Sequence, residues 1–301
     1  MLTSSTRQSL PFERIALCGV GLIGGSILKA LRADGYQGRV TVFDIDRALA
    51  EQVCEAGFAD LVEASPEHFF RDHDLVILCQ PVGVLLDYLR VHRRDITAGR
   101  ALGIDVASVK GPVLQALQQD GSSAALARFI PCHPIAGKAS HGWVSADADL
   151  LQDKLCILTP DAATPPAALA RIEEFWQRLG ARTARMAADE HDAIYASLSH
   201  LPQLLSYAYL HSLAQQPLAR QWLDYRGTGF TGFTRLGSSD PALWADIAVH
   251  NAGPLLAEID RFSASLAELR AALVAGERSR LAGHFSTARD LHAVTQRPAG
   301  S

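Results

Sequence analysis

The sequence predicts an α/β protein in which a mostly parallel sheet is followed by an all-helical C-terminal domain. Short apolar segments alternate with helical patterns from Arg14 onward, a glycine-rich turn follows the first segment, and the alternation ends near residue 187. Nearly continuous apolar strands separated by helices are typical of parallel sheets that are covered on both faces. We therefore expect a flexible tail over 1–13, a sheet domain over 14–187 and a helical domain over 188–301.

The strands and helices of the sheet domain follow in order along the chain. Strands are predicted where short apolar runs meet turn signals, and helices where apolar residues recur at helical spacing. The predicted strands are 15–18, 40–43, 75–79, 101–104, 129–132, 155–158 and 182–186. The predicted helices are 23–33, 47–56, 84–92, 113–119 and 167–179.

Only helical periodicity is found from Asp189 onward. A long helix is predicted to begin there, with Asp192 in its first turn, and to continue to residue 208. Pro202 lies inside this helix and predicts a kink or a local break, because proline lacks the N–H group that a helix interior needs. Further helices are predicted to begin near 240–241 and 251–254 and to continue towards residue 294.

The composition limits the class of protein. Of the 301 residues, 48% are hydrophobic and 20% are charged, and the formal net charge is −4. These values are ordinary for a globular protein and give no basic surface for nucleic acid. The five cysteines are scattered without a C-x-x-C pair, the histidines form no metal-binding pattern, and no apolar stretch is long enough to span a membrane. We therefore expect a cytoplasmic protein with reduced thiols, no metal, and neither nucleic-acid nor membrane partners.

The glycine-rich turn (GVGLIG, residues 19–24) has the spacing of a dinucleotide-binding fingerprint. Its first glycine allows a tight turn, the second lets the backbone approach a pyrophosphate, and the third lets the next helix pack closely on the strand. The free N–H groups at the start of that helix would face the phosphates. The first domain is therefore predicted to be Rossmann-type, the alternative being a glycine turn without a ligand. The residues expected to bind the cofactor here are Gly19, Gly21, Leu22, Ile23 and Gly24.

Asp44 bears on which dinucleotide is bound. It ends the second predicted strand, about twenty residues after the last motif glycine, where an acid can bind the ribose hydroxyls. A carboxylate there would repel a 2′-phosphate, so we expect NAD as the cofactor. Arg47 leaves NADP open, because an arginine nearby can accommodate that phosphate.

Two motifs follow the ends of predicted strands. Ser108 comes after the predicted strand 101–104, where ligands bind in open α/β sheets; alternatively, Ser108 or Asp105 only caps the next helix. His133 lies between two prolines in a predicted strand-end loop, where an imidazole can accept a proton from a substrate hydroxyl. The alternative for His133 is a loop histidine that is hydrogen-bonded to backbone.

Two more motifs lie in the predicted helical domain. His200 and Gln203 lie on the long helix, where a histidine is either a core residue or part of a site. Arg235 lies in a segment punctuated by glycines and predicted to be a loop, and its guanidinium suits bidentate carboxylate binding. The alternative for Arg235 is a surface pair with Asp240.

Taken in order, these motifs resemble those of the prephenate/arogenate (cyclohexadienyl) dehydrogenases of tyrosine biosynthesis. The resemblance covers roughly residues 14 to 295, nearly the whole chain, and no extension resembles a chorismate mutase or an ACT domain, so we expect a single-function enzyme. The departures from the family pattern fall in residues 138–143, where Lys138, His141 and Trp143 receive no role. The segments that carry the resemblance are 19–26, 105–110, 133–137, 199–203 and 233–241.

The resemblance implies NAD-dependent oxidative decarboxylation of prephenate to 4-hydroxyphenylpyruvate, with an arogenate or dual-specificity enzyme as the alternative. His133 would accept the proton of the ring hydroxyl, and Ser108 would hydrogen-bond that hydroxyl or the imidazole. Arg235 would anchor a substrate carboxylate, while His200 and Gln203 would line the substrate pocket. The family and the long apolar helix faces together imply a homodimer through the C-terminal domain, which would be a dimerisation domain. Because the product resembles tyrosine, competitive inhibition by tyrosine is also expected.

Two other functions are weighed against this one. A β-hydroxyacid dehydrogenase or a pyrroline-carboxylate reductase shares the two-domain outline but does not require the motifs at 133–134 and 199–202. A non-catalytic NAD-binding regulator needs only the glycine turn and Asp44. The presence of His133 and His200 therefore favours an enzyme.

Overall fold

The computed structural model describes residues 10–118, 124–138 and 140–295, and the chain forms two compact units, Met1–Ala252 and Gly253–Ser301. Most of the tail predicted over 1–13 lies outside the described residues. Within residues 10–13, Leu10 and Phe12 are buried, with Phe12 2% exposed. Its ring lies edge-on to that of Phe175, with 6.3 Å between centroids.

Among the described residues, a six-stranded sheet forms the centre of the first unit. Its strands are Arg14–Cys18 (β1), Arg39–Phe43 (β2), Leu61–Val62 (β3), Leu75–Leu78 (β4), Leu102–Asp105 (β5) and Phe129–Ile130 (β6). They lie in the order β3-β2-β1-β4-β5-β6, and every neighbouring pair is parallel. The chain leaves β1 towards one side and returns through β4 on the other, so the order reverses beside β1. Ligands bind at such a reversal in open α/β sheets.

A second sheet of three strands corrects one prediction. It contains Cys132–Pro134 (β7), Leu155–Leu158 (β8) and Arg182–Arg185 (β9), with β7 antiparallel and β9 parallel to β8. The single strand predicted over 129–132 is wrong, because it divides at Pro131. Proline has no N–H to donate to a sheet ladder, and the chain leaves the first sheet there and enters the second.

Helices cover the six-stranded sheet and recur through the rest of the described residues. In the first unit they are Leu22–Ala33 (α1), Arg47–Glu55 (α2), Phe69–Asp72 (α3), Val82–Ala98 (α4), Gly111–Leu117 (α5), Pro166–Arg178 (α6), Ala188–Tyr195 (α7), Leu201–Ala214 (α8), Ala219–Trp222 (α9), Thr228–Thr234 (α10) and Pro241–His250 (α11). Ala252–Ala275 (α12) begins at the end of the first unit and continues into the second, which also contains Arg278–Thr295 (α13). No helix among the described residues combines the length and apolarity needed to cross a membrane.

Apolar side chains cover both faces of the six-stranded sheet, as its nearly continuous apolar strands predict. Successive residues of a strand point to opposite faces. Ile15 and Leu17 of β1 accordingly belong to one core cluster, which includes the fully buried Trp176 of α6. Ala16 and Cys18 belong to the other cluster, with side chains from α4 and α5. Packing on both faces therefore holds the sheet, and with it the carboxyl ends of its strands, in a fixed position.

The long helix predicted from Asp189 to residue 208 contains a local break, as Pro202 indicates. The helix α7 ends at Tyr195, a π-helical turn covers Ala196–His200, and α8 begins at Leu201. Pro202 occupies the first turn of α8, where a missing N–H costs least. The break thus falls just before the proline, and it places His200 in the wider turn.

The second unit, described by itself, consists of most of α12 followed by α13. Helical structure continues towards residue 294, as predicted, and α12 ends before Gly276, which has a φ of +67°. The Glu277 N–H donates to the Ala272 carbonyl at 3.0 Å, which closes the end of α12 in the way a left-handed glycine permits.

Candidate active site

The loops that follow the parallel strands meet at one edge of the first sheet. The Gly19 N–H donates to the Phe43 carbonyl at 2.8 Å and the Cys79 N–H donates to the Cys18 carbonyl at 2.7 Å, so the ladders continue past the strand ends. The Val106 N–H after β5 likewise donates to the Leu78 carbonyl of β4 at 3.2 Å. The segments that follow β1, β2, β4 and β5 are therefore held side by side. This is the edge at which an open α/β sheet binds its ligand.

The glycine turn has the shape that a dinucleotide requires. Gly19 has a φ of +94°, and a Cβ on it would lie 2.8 Å from the Cys79 carbonyl oxygen. A Cβ on Gly24 would overlap the Gly19 carbonyl oxygen, whereas a Cβ on Gly21 would meet no atom within 4 Å. Gly21 precedes α1 and provides no side-chain cap, so the first N–H groups of the helix, at Leu22 and Ile23, have no partner within the helix. This open cradle of backbone donors fits the pyrophosphate of NAD.

Asp44 lies beside the glycine turn, as predicted. Its carboxylate accepts hydrogen bonds from the Val20 N–H at 2.7 Å and from the Asp46 N–H at 2.9 Å. Each carboxylate oxygen retains a lone pair that a ribose hydroxyl can use. Arg47, the residue that left NADP open, donates instead to Glu51 at 2.7 Å.

The loop after β5 excludes the alternative in which Ser108 or Asp105 only caps the next helix. The helix α5 begins at Gly111, three residues after Ser108, and neither Ser108 nor Asp105 caps it. Asp105 accepts from the Ala107 N–H at 2.8 Å and pairs with the ammonium group of Lys110, and both charged side chains are fully buried. Lys110 also donates to the Cys132 carbonyl at 2.6 Å. A buried ion pair thus ties the Ser108 loop to β7.

His133 lies in the middle of β7 rather than in a loop, and 9% of its surface is exposed. Its Nδ1 lies 2.8 Å from Nε2 of His191, on α7. Within the described residues its Nε2 makes no hydrogen bond. Burial holds the pKa of His133 well below its usual value, and the neighbouring His191 and the Lys110 ammonium act in the same direction. The imidazole is therefore neutral.

Asp192 connects His191 to the Ser108 loop. Its Oδ1 lies 2.8 Å from Nδ1 of His191 and accepts from the Lys110 N–H at 2.8 Å. Its Oδ2 accepts from the Gly111 N–H at 2.8 Å. A carboxylate at these N–H groups satisfies unpaired donors at the start of α5 and interacts favourably with the helix dipole. Asp192 of α7 is therefore the cap of α5.

His200 is fully buried in the π-helical turn, close to the same cluster. Its Nδ1 lies 2.9 Å from Nδ2 of Asn251, which also donates to the Asp192 carbonyl at 3.0 Å. Its Nε2 is buried and has no partner among the described residues. Burial lowers the pKa of His200 to about 4. Because the Asn251 amide donates to Nδ1, the proton of the neutral ring is on Nε2, which makes that atom a donor without an acceptor.

Gln203 and Arg235 belong to a neighbouring part of the first unit. Arg235 lies in a helical turn, Arg235–Ser238, that continues α10, so the predicted loop is wrong. The Gln203 amide donates to the Leu236 carbonyl at 2.6 Å, and Ser206 accepts from the Gly237 N–H at 3.0 Å. Asp240 caps α11 instead of pairing with Arg235. The guanidinium is exposed and forms no ion pair within the described residues.

Sequence reasoning missed the role of the side chains that connect the cluster. Asp192 was expected only as an acid in the first turn of a helix, and His191, Tyr195 and Asn251 received no role. A His-Asp pair at a helix start is a weak signal by itself, because its partners are 81 and 58 residues away along the chain. Only the packing of α7 against α5 brings these groups together.

The arrangement is suited to acid–base chemistry on a ligand bound beside a dinucleotide. It provides a neutral imidazole with a free nitrogen, a second imidazole with an unused N–H, and a glycine turn that fits a pyrophosphate. Among the described residues no group of three or more histidine, cysteine or acidic side chains is placed to hold a metal. These features fit transfer of a hydride to a nicotinamide with proton transfer from an alcohol.

Comparison with known families agrees with this chemistry. Residues 27–185 match the family described as "Prephenate dehydrogenase, nucleotide-binding domain", and residues 187–287 match "Prephenate dehydrogenase, dimerization domain". The chain is 32% identical over 280 residues to a cyclohexadienyl dehydrogenase of Zymomonas mobilis, covering 91% of this chain and 93% of that protein. It is 28% identical to a prephenate dehydrogenase of Bacillus subtilis, covering 92% of this chain and 75% of that one.

A solved structure has the same fold. The prephenate dehydrogenase of A. aeolicus, in complex with hydroxyphenyl propionate and NAD+, superposes with a TM-score of 0.85 at 27% identity, covering 96% of this chain and all of that one. That neighbour binds NAD+, and the cradle at Gly21 and the carboxylate of Asp44 in this chain fit the same cofactor. With both parts of the chain matched by one family, the protein belongs to the prephenate dehydrogenases.

Proposed function

We propose that the protein oxidises and decarboxylates prephenate to 4-hydroxyphenylpyruvate with NAD. The observation that carries this proposal is the pair of buried histidines in one hydrogen-bonded cluster. His133 has a free nitrogen that can accept a proton, and His200 has an N–H without a partner. An alcohol that loses a hydride needs the first group, and a ligand with oxygen acceptors suits the second.

The reaction needs one proton acceptor from the chain. NAD, when bound, accepts the hydride from C4 of the ring. His133 removes the proton of the C4 hydroxyl as the carbon is oxidised, and the bond from C1 to the carboxylate then breaks to release CO2. The electrons of that bond complete the aromatic ring and leave charge on the C4 oxygen, to which His133 returns its proton. Protons therefore balance within the site.

The remaining predicted residues are proposed to bind the substrate. Ser108 is proposed to hydrogen-bond the C4 hydroxyl, and its position in the loop after β5 supports this role. The exposed guanidinium of Arg235 is proposed to anchor a carboxylate. His200 would donate from Nε2 to a substrate oxygen. Gln203 binds the Leu236 carbonyl, so we propose that it acts on the substrate by holding the turn that carries Arg235.

A second candidate is a dual-specificity cyclohexadienyl dehydrogenase that also accepts arogenate. The relative with 32% identity over nine-tenths of both chains is described as a cyclohexadienyl dehydrogenase. Prephenate and arogenate differ only in a keto or an amino group on the side chain, so the same ring chemistry serves both.

Initial rates of NADH formation test these proposals. Prephenate and arogenate would each be offered with NAD and with NADP, and absorbance would be followed at the NADH band. Turnover of prephenate with NAD is the expected result, and comparable turnover of arogenate would establish the dual-specificity enzyme. Absence of turnover with both rings by protein that still binds NAD would refute the proposed function.

Replacing the proposed base gives a sharper test. His133→Asn removes the nitrogen that accepts the proton but leaves the glycine turn intact. We expect kcat to fall by about 10²- to 10⁴-fold, the range for a lost general base. The dissociation constant for NAD, measured by titration calorimetry, should stay close to that of the wild type. Retained turnover in this variant would contradict the role of His133.

Further properties are proposed on narrower grounds. We propose division near residue 187 into a nucleotide-binding and a dimerisation domain, and a homodimer formed through the latter, because the family match also changes there. The five free cysteines support a reducing, cytoplasmic location.

We also propose inhibition by tyrosine that is competitive with the ring substrate. Purely non-competitive inhibition in initial-rate plots would contradict it.

A further inference from the structure

We propose that His191 and Asp192 are positioning residues that fix which nitrogen of His133 carries the proton. The inference rests on the proposed function, in which Nε2 of His133 accepts a proton from the substrate. Two successive hydrogen bonds, from His133 to His191 and from His191 to Asp192, keep that nitrogen unprotonated.

The direction of the hydrogen bonds follows from Asp192. Its carboxylate oxygens only accept hydrogen bonds, and they already accept from the N–H groups of Lys110 and Gly111. The nitrogen of His191 that lies 2.8 Å from Oδ1 must therefore carry a hydrogen. A neutral imidazole has one N–H, so Nε2 of His191 is an acceptor.

The acceptor on His191 then determines the state of His133. Two lone pairs cannot face each other at 2.8 Å, so Nδ1 of His133 carries the hydrogen that His191 accepts. The other nitrogen, Nε2, is left with a lone pair. The same logic gives His200 the opposite form, because Asn251 donates to its Nδ1. The site thus has one imidazole that accepts and one that donates.

Packing holds the relay in place. The ring of Tyr195 stacks on His191 with 4.6 Å between centroids and lies 4.8 Å from the ring of His133. His191 is fully buried and Asp192 is 5% exposed. Because Asp192 also caps α5, the carboxylate that orients His133 fixes the end of the loop that carries Ser108. One side chain thereby aligns the two groups proposed to act on the C4 hydroxyl.

The charges around the pair do not compete for this role. The groups that face His133 are His191 and Tyr195 from α7, His200 from the π-helical turn, and Lys110 from the loop after β5. The Lys110 ammonium is paired with Asp105 and bonded to the Cys132 carbonyl. The Lys110 ammonium therefore already has two acceptors other than the imidazole.

The protonation of His133 can be measured directly by NMR on 15N-histidine-labelled protein, with its signal assigned from His133→Asn. In the wild type we expect the neutral form with hydrogen on Nδ1. His191→Phe should convert His133 partly or fully to the Nε2–H form, whereas His191→Gln, whose amide oxygen can accept, should preserve the wild-type form. An Nε2–H form in the wild type, or a form unchanged by His191→Phe, would overturn the proposal. Because no substrate is used, this result is independent of the proposed function.

Kinetics give the second readout. We expect kcat to fall about 10²- to 10⁴-fold in His191→Phe, the effect of a wrong tautomer, and to be partly rescued in His191→Gln, with KM for NAD unchanged in both. A packing role predicts the reverse order, because only Phe preserves the ring that stacks on Tyr195. His73→Phe is the matched control, since His73 is buried with two hydrogen bonds. Its kcat should stay within a few-fold of the wild type.

Discussion

Buried histidines define this site at the scale of single residues. Burial lowers the pKa of His133, His191 and His200, in each case as the largest cause. A neutral imidazole has one nitrogen that donates a hydrogen bond and one that accepts. Its hydrogen-bonded neighbours determine which nitrogen carries the proton. Asp192, acting through His191, leaves Nε2 of His133 as an acceptor, whereas Asn251 leaves Nε2 of His200 as a donor. Both rings are proposed to face the substrate.

The same burial has a consequence for stability in acid. The pKa of His200 is lowered to about 4 in the folded protein, whereas an unfolded chain has a value near its usual one of about 6.5. The unfolded state therefore binds a proton that the folded state does not, and stability falls as the pH drops from about 6.5 to about 4. At roughly 1.4 kcal/mol per pH unit, His200 accounts for about 3 kcal/mol.

Urea unfolding at pH 6.5 and pH 4.5 measures this effect. In His200→Gln the difference in unfolding free energy between the two pH values should shrink by roughly 2 to 3 kcal/mol. His211 is exposed on α8, and the same substitution there should leave the difference as in the wild type. An undiminished difference in His200→Gln would show that other groups cause the acid sensitivity.

Single elements differ in how far the sequence determines them. The turn at 19–24 was predictable because a strand, three glycines and a helix are adjacent in the chain. The division of 129–132 into β6 and β7, and the helical turn around Arg235, depend on contacts with distant segments. The cap of α5 was unpredictable for the same reason, since Asp192 lies 81 residues after Gly111. Local patterns therefore predict the glycine turn, whereas the network behind His133 depends on the fold.

Substitutions at two glycines of the turn at 19–24 are expected to distinguish NAD binding from the stability of the fold. A Cβ on Gly21 would meet no atom within 4 Å, but one on Gly24 would overlap the Gly19 carbonyl oxygen. We expect Gly21→Ala to keep the melting temperature of the wild type and to bind NAD at least about tenfold more weakly, because the methyl group occupies the space of the pyrophosphate. Gly24→Ala should lose about 1 to 3 kcal/mol of stability.

Calorimetric melting and NAD titration check both variants. Gly283→Ala is a control, since a Cβ there also meets no atom within 4 Å but lies in α13. It should bind NAD as the wild type does. Unchanged NAD affinity in Gly21→Ala would mean that the cofactor does not approach the backbone at this turn.

At the scale of the whole molecule, the second unit leaves much apolar surface uncovered. Its large apolar side chains with more than half of their surface exposed include Leu256, Leu266, Leu273, Val274, Phe285, Leu291 and Val294. Apolar patches of this kind mark association surfaces in soluble proteins. The apolar helix faces that predict a dimer from the sequence lie elsewhere, at residues 198–210 of the first unit. The match of residues 187–287 to a dimerisation domain supports a second copy of the chain as the proposed partner.

A stripe on α12 provides the test of that homodimer. Phe262, Leu266 and Leu273 follow each other at spacings of four and seven residues, so they share one helix face, and they are 38%, 55% and 66% exposed. Light scattering after size exclusion should give twice the chain mass of 32.4 kDa.

Leu266→Glu combined with Leu273→Glu places two charges in a surface that a partner would desolvate. Burying charges without compensating partners is costly, so this variant should give the monomer mass. Val91→Glu, at a 73% exposed position of α4, should remain dimeric. A monomeric wild type, or a dimer that tolerates both charges, would mean that these helices associate through another face or not at all.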